Sequence, residues 1–196
     1  MCLLINARSE SFRAHARYCS KMKGSFVVLA LALAATLGFA ETAGGIKWNA
    51  PAAWKAQAQR PMRAATYTVP KASGDSEDGE CAVFYFGAGQ GGGVEANIKR
   101  WIGQFDAPAG GPADKLAKTT KATVGGLPVT RIDLAGTYKT SAGPMMQSTG
   151  SKPGYRLLGA IVEGPEGAVF FKFTGPAKTV AANQGAFETL IKSVSR

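Results

Sequence analysis

Six short runs rich in β-branched and aromatic residues follow one another between residues 62 and 174. They are 62–69 (MRAATYTV), 81–86 (CAVFYF), 117–124 (AKTTKATV), 127–135 (LPVTRIDLA), 155–163 (YRLLGAIVE) and 168–174 (AVFFKFT). Each is strand-sized, and Pro61, Pro70, Gly125-Gly126 and Gly164-Pro165-Glu166-Gly167 punctuate them. Hairpin turns join antiparallel neighbours, whereas a parallel sheet needs repeating strand–helix–strand units, and none repeats here. Two stretches carry a helical period instead. Val94, Ile98, Trp101, Ile102 and Phe105 share one face of a helix over 94–105, and Val180, Phe187, Leu190, Ile191 and Val194 share one stripe of a closing helix over 177–194. The expected fold class is α+β: a mainly antiparallel β-sheet flanked by helices.

Local readings follow from this frame. Residues 81–86 lack clean alternation and read as a central strand covered on both faces, with Cys81 a buried, inert thiol. Along 127–135, Val129, Arg131 and Asp133 alternate with Thr130, Ile132 and Leu134, which predicts a half-exposed strand with a solvent-side Arg131/Asp133 pair. The segment 71–80 (KASGDSEDGE) lacks the twelve-residue calcium-loop spacing and reads as a solvated hairpin turn. Residues 140–154 read as a long polar loop centred on Met145-Met146, whose thioethers suit Cu(I) but lack a third ligand. Pro51 suits the first turn of a short helix, with Trp48 and Trp54 closing over an edge of the core.

The amino terminus bears on location. Residues 22–40 (MKGSFVVLALALAATLGFA) combine a basic start, an apolar stretch over Phe26–Leu37 and small residues before a cleavage site. That is the pattern of a secretory signal peptide cut between Ala40 and Glu41, which implies the periplasm or the extracellular space. Residues 1–21 read as an extension or a misplaced start ahead of Met22. A long n-region and an uncleaved anchor are the alternatives. A flexible leader over 41–47 and one globular domain over 48–196 are expected to follow.

Trimming changes the chemistry. His15 is the only histidine and lies in the removed segment, as do Cys2 and Cys19. A Ser-His-Asp or Cys-His apparatus and a His/Cys zinc site are therefore excluded from the trimmed chain. Removal also takes five basic residues (Arg8, Arg13, Arg17, Lys21, Lys23) and Glu10, so the net charge falls from +10 to +6. A positive balance outside the cytoplasm favours an envelope protein or an anionic surface component as partner, not nucleic acid. No stable membrane span is expected after cleavage. No cofactor and no metal site are expected either.

Residues 87–93 (GAGQGGG) lie between the central strand and the first helix, and Gly87, Gly89 and Gly92 satisfy G-x-G-x-x-G. A dinucleotide fold also needs a βαβ unit and an acidic residue about 20 positions on at the next strand end. Asp106 and Asp114 fall in a Pro/Gly loop instead, and no Gly-Lys-Ser/Thr follows for a Walker loop. What survives is an anion site at bare helix amides. Its candidate ligand-binding residues are Gly89, Gln90, Gly91 and Gly92, with Lys99 and Arg100 on the helix; the competing reading is a mobile glycine connection beside a solvated helix face. Carboxylate-only hydrolysis is a third possibility, with Asp133 and Glu163 as its acids.

The order of parts resembles the PsbP-like family, which includes the extrinsic photosystem protein and Mog-type import factors. The opening Trp48-Asn49-Ala50-Pro51-Ala52-Ala53-Trp54, the helix ending Trp101-Ile102-Gly103-Gln104-Phe105, the GLPV strand at 126–129 and the Phe-rich strand before Gly175-Pro176-Ala177-Lys178-Thr179 carry the likeness. It extends over 46–195. The resemblance implies an α/β/α sandwich and a non-enzymatic binding or assembly role, and it transfers no functional residues.

Overall fold

The computed structural model describes residues 40–142 and 147–196. The segment expected to be an extension (1–21), nearly all of the expected signal peptide (22–40) and the Met145-Met146 pair lie outside them. In chain order the first elements are β1 (Glu41–Ala43), β2 (Ile46–Trp48), β3 (Lys55–Ala56), β4 (Arg63–Val69), β5 (Gly79–Tyr85) and helix α1 (Val94–Ile102). Then come β6 (Phe105–Asp106), β7 (Lys118–Val124), β8 (Leu127–Ala142), β9 (Gln147–Gly164), β10 (Gly167–Pro176), α2 (Ala177–Ala182) and α3 (Gln184–Lys192). The main sheet has eight strands in the order β3-β4-β5-β10-β9-β8-β6, with β7 also paired to β8. Every pairing in it is antiparallel. The fold class is thus the expected one.

Alternation along β10 shows how two cores arise. Phe171 and Phe173 enter the larger cluster, with Trp48, Trp54, Tyr67, Phe187 and Leu190. Phe170 enters the smaller one, with Trp101, Phe105, Ile132 and Leu157. Successive side chains of a strand point to opposite faces, so the sheet is covered by α2, α3 and the β1–β2 hairpin on one side and by α1 on the other. Val180, Phe187, Leu190, Ile191 and Val194 are all buried, as their stripe predicts. The closing helix is broken at Asn183, however, whose side chain donates to the Thr179 carbonyl at 3.0 Å. Cys81 is fully buried, and burial pushes its thiol well above the usual range.

Several expectations are corrected. Residues 41–47 are not a leader. They form most of the β1–β2 hairpin, turned by Gly44 and Gly45 at φ +60° and +72°, the conformation a two-residue hairpin turn requires. Ile46 and Trp48 are buried, and Lys47 exchanges hydrogen bonds with Ser195 at 2.9 and 3.1 Å. Trp48 donates from Nε1 to the Tyr67 hydroxyl at 2.9 Å and meets Phe171 edge-on. Around Pro51 the chain makes one turn rather than a helix. Helix α1 ends at Ile102, with Gly103 at its C-cap, and Phe105 joins β6 opposite Tyr138.

The polar loop expected over 140–154 is mostly strand: β8 runs to Ala142 and β9 starts at Gln147. Its Ser/Thr/Gly composition hides it, since a strand without alternating apolar residues shows no period in the sequence. Arg131 and Asp133 do not pair with each other on a solvent face. They lie on the α2/α3 side, where Arg156 grips Asp133 with two bonds of 2.8 and 2.7 Å. Arg131 Nε is buried without a partner.

Candidate functional site

The glycine connection enters α1 with no side-chain cap on Gly93. Four of its glycines, at positions 87, 89, 91 and 92, hold positive φ. At Gly91 a side chain is excluded twice over: φ is +86°, and a Cβ there would stand 2.7 Å from the Phe86 ring and 3.1 Å from Phe170. The carbonyls of Gly91, Gly92 and Gly93 all turn toward Asn97, whose side-chain amide donates to them at 2.8, 3.3 and 3.0 Å. Asn97 is 3% exposed although it sits on a surface helix. Its own oxygen accepts from Arg100 at 2.7 Å.

The expected candidates separate accordingly. Gly91 packs on two aromatic rings, whereas Gly89, Gln90 and Gly92 lie on the surface. Lys99 is exposed, and Arg100 reaches back along α1 to Asn97. Loop and helix are linked through Asn97, with carbonyls rather than amides drawn into the link.

Beside this loop the α1 face of the sheet holds a cleft of ≈ 340 Å³. Phe84, Phe86, Phe170 and Trp101 form most of its apolar wall, and Met62 makes an exposed lip at φ +64°. Phe84 lies near the end of β5 and Phe86 just past it, two residues on, and both line the cleft on the α1 face. Their rings lie 6.0 Å apart and 11° from parallel, and Phe86 tilts against Phe170 at 5.6 Å. The guanidinium of Arg63 sits 5.3 Å over the Phe84 ring.

Lys172 also belongs to this cleft. It follows Ala168 and Phe170 on the same face of β10, with Thr174 next in phase. Its ammonium donates to Gln104 Oε1 at 2.6 Å and lies 5.3 Å from the centre of the Tyr138 ring. Burial pulls its pKa down to about 8. Glu80 is engaged elsewhere, by Arg63 at 2.9 Å and Arg60 at 3.4 Å. The sequence reading missed Phe84, Phe86, Phe170 and Lys172 as a group. The available signal was a lysine in phase with Phe170 inside an aromatic strand.

The other chemistries are placed apart. Asp133 pairs with Leu158 across the β8–β9 ladder, and Glu163 lies five residues further along β9. At ~3.4 Å per residue that is about 17 Å, against the ~5–9.5 Å that glycoside-cleaving carboxylates require. The acidic turn serves the fold. Asp75 accepts from the Thr179 amide and hydroxyl at 2.8 and 2.6 Å, and Glu77 pairs with Lys152 at 2.5 Å. Among the described residues no group of three or more His, Cys, Asp and Glu stands ready for a metal. No helix among them is long and apolar enough to cross a membrane.

No family model matches the chain, and no curated protein matches it. The solved structures that are similar to this chain include the following two. PA94, a protein of unknown function from Pseudomonas aeruginosa, shares 12% identity over 80% of this chain and 94% of its own, with a TM-score of 0.42. The cyanobacterial PsbP of Synechocystis, solved in solution, shares 11% identity over 80% of this chain and 89% of its own, with a TM-score of 0.46.

Proposed function

We propose that this chain is an exported, non-enzymatic binding protein of the cell envelope, from an exported bacterial branch of the PsbP-like proteins, and that it engages its ligand or partner in the aromatic cleft under α1. The observation that carries the binding reading is the cleft itself. Three phenylalanines and a tryptophan line one concavity, with a lysine at an inward register and an exposed methionine at its lip. Ligand sites are typically apolar concavities with a few placed polar groups. Export rests on the signal pattern over 22–40, and the family placement on the order of strands and helices along the chain.

A neutral fluorophore tests the cleft independently of charge. Nile red is expected to bind the purified protein saturably at one site, and Phe86→Ser to weaken it about tenfold. Absence of saturable binding, or binding indifferent to Phe86→Ser, overturns the assignment. Mass spectrometry of the protein from its own cells is expected to find Glu41 as the first residue; a cytosolic product retaining His15 overturns export.

A further inference from the structure

We propose that the cleft takes a small aromatic carboxylic acid, its rings against Phe84, Phe86 and Phe170 and its carboxylate paired with Lys172 and Arg100. This rests on the reading of the cleft as the binding site and adds the class of ligand.

Charge complementarity argues for the acid. Lys172 and Arg100 both line the cleft, and neither has a carboxylate partner among the described residues. Each is held by a neutral amide oxygen instead, Gln104 for Lys172 and Asn97 for Arg100. Glu80, whose charge acts on Lys172, is already paired with Arg60 and Arg63, and the Arg63 charge acts on Lys172 in the opposite sense. A cation facing apolar walls without a counter-ion is costly, and an anion that brings its own apolar body relieves that cost. An ion pair in such surroundings is also stronger than one in water.

The shape of the walls argues for an aromatic body. Phe84 and Phe86 present near-parallel ring faces, and Phe170 is tilted to them at 60° for Phe86. Planar rings gain from offset stacking and edge contacts that an alkyl chain does not make. The volume of ≈ 340 Å³ lies at the lower end of ligand sites, room for a two-ring acid rather than a lipid.

The test is calorimetry on the protein expressed from its complete coding sequence, with three probes: naphthalene-2-acetate, its neutral isostere naphthalene-2-ethanol, and acetate. The acid is expected to bind at one site about tenfold more tightly than the alcohol, and acetate not to compete. Lys172→Met is expected to erase the preference for acid over alcohol, while Lys172→Arg keeps it. Arg100→Gln, at the solvent-exposed rim of the cleft, is expected to weaken the acid about threefold and the alcohol by less.

Raising the pH from 7 to 9 is expected to weaken the acid about tenfold, because the ammonium with pKa about 8 discharges in that window. The other groups facing Lys172 are Glu80 on β5, Arg63 on β4, Tyr138 on β8, whose phenol burial pushes up, and the Gln104 amide. Equal binding of acid and alcohol overturns this inference and leaves the cleft assignment standing. Competition by acetate at the same strength reduces the site to a simple anion site and overturns it too. Failure of both naphthalene probes and of Nile red removes the inference together with the reading beneath it.

Discussion

Gly159 sits on β9 directly under the Trp101 ring, and substituting it tests how α1 is seated on the sheet. A Cβ at this position would stand 2.5 Å from the six-membered ring of Trp101 and 2.7 Å from the Ile132 methyl on the adjoining strand. Its φ is outside the positive region, so alanine would meet crowding alone and no backbone strain. Two effects oppose each other. Alanine in a strand interior gains about 0.5–1 kcal/mol over glycine through the unfolded chain. Overpacking a well-filled core costs about 1–3 kcal/mol. The crowding atoms are a 5% exposed indole ring and a 2% exposed isoleucine, neither free to swing into solvent, so the cost wins. The expected net loss for Gly159→Ala is about 1–2 kcal/mol, or roughly 2–8 °C in Tm for a domain of this size. The assay is thermal unfolding followed by near-ultraviolet circular dichroism, with Trp101→Leu as the second arm of a double-mutant cycle. The two substitutions relieve each other, so together they are expected to cost about 1 kcal/mol less than their sum. A Tm for Gly159→Ala equal to or above that of the natural protein, or strict additivity with Trp101→Leu, would refute the reasoning.

Three further outcomes follow from the same geometry. Asn97→Ala removes the donor shared by three loop carbonyls and is expected to cost about 1–3 kcal/mol, with faster amide exchange in the first turn of α1; unchanged exchange there would show that the loop holds itself. Asp75→Ala strips the Thr179 amide and hydroxyl of their acceptor and is expected to cost about 1–3 kcal/mol by urea unfolding, whereas Asp78→Ala, whose carboxylate receives one exposed bond from the Lys71 amide, is expected to cost less than half as much; equal losses would contradict this. The hydrogen bond from Lys152 holds the Glu77 carboxyl below its usual 4.5, so its stabilisation is full above that unfolded value and fades as the pH falls through the lowered folded one. Lys152→Met is therefore expected to flatten the Tm profile below pH 5, and superimposable acid limbs would exclude the linkage.

How much of this was legible in the sequence depends on how local each signal was. The six strand runs were readable from their β-branched and aromatic content between turn residues, and both helical stripes from the helix's own period. Phe105 fitted the helical stripe too, but α1 ends at Ile102 and Phe105 pairs with Tyr138 in a strand. The hairpin over 41–48 was hidden because three-residue strands are too short to show a period. The pairing of Asp133 with Arg156 was hidden because it spans 23 residues and depends on the β8–β9 register. The two register shifts in that ladder, near Gly136 and Thr140, leave no mark that sequence periodicity would reveal. The cleft suffered the same obstacle. Phe84 and Phe86 came from one run and Phe170 and Lys172 from another, and only the β5–β10 pairing brings them together.

The glycine run gains a different meaning from that pairing. Read alone, GAGQGGG offered either bare amides for an anion or a mobile glycine connection. In the fold, Gly91 is flat against Phe86 and Phe170, and a side chain there would press into the aromatic wall from behind. The carbonyls that follow are turned inward to Asn97, and the same Asn97 steers Arg100, which lines the cleft one turn before Gln104. Gln104 in turn holds Lys172. The loop therefore acts on the cleft through two steps: it lets the rings pack closely, and it sets the height at which α1 presents its polar groups. On that account Gly91→Ala should disturb the cleft more than Gly89→Ala, although both replace a glycine at positive φ. Both carry the backbone penalty, but at Gly89 nothing stands within 4 Å of the new methyl group. Comparing the two by Nile red affinity and by Tm separates the terms: similar Tm losses would report the shared backbone strain, and a loss of affinity confined to Gly91→Ala would report the wall. Equal affinities in the two variants would mean that the loop and the cleft are merely neighbours.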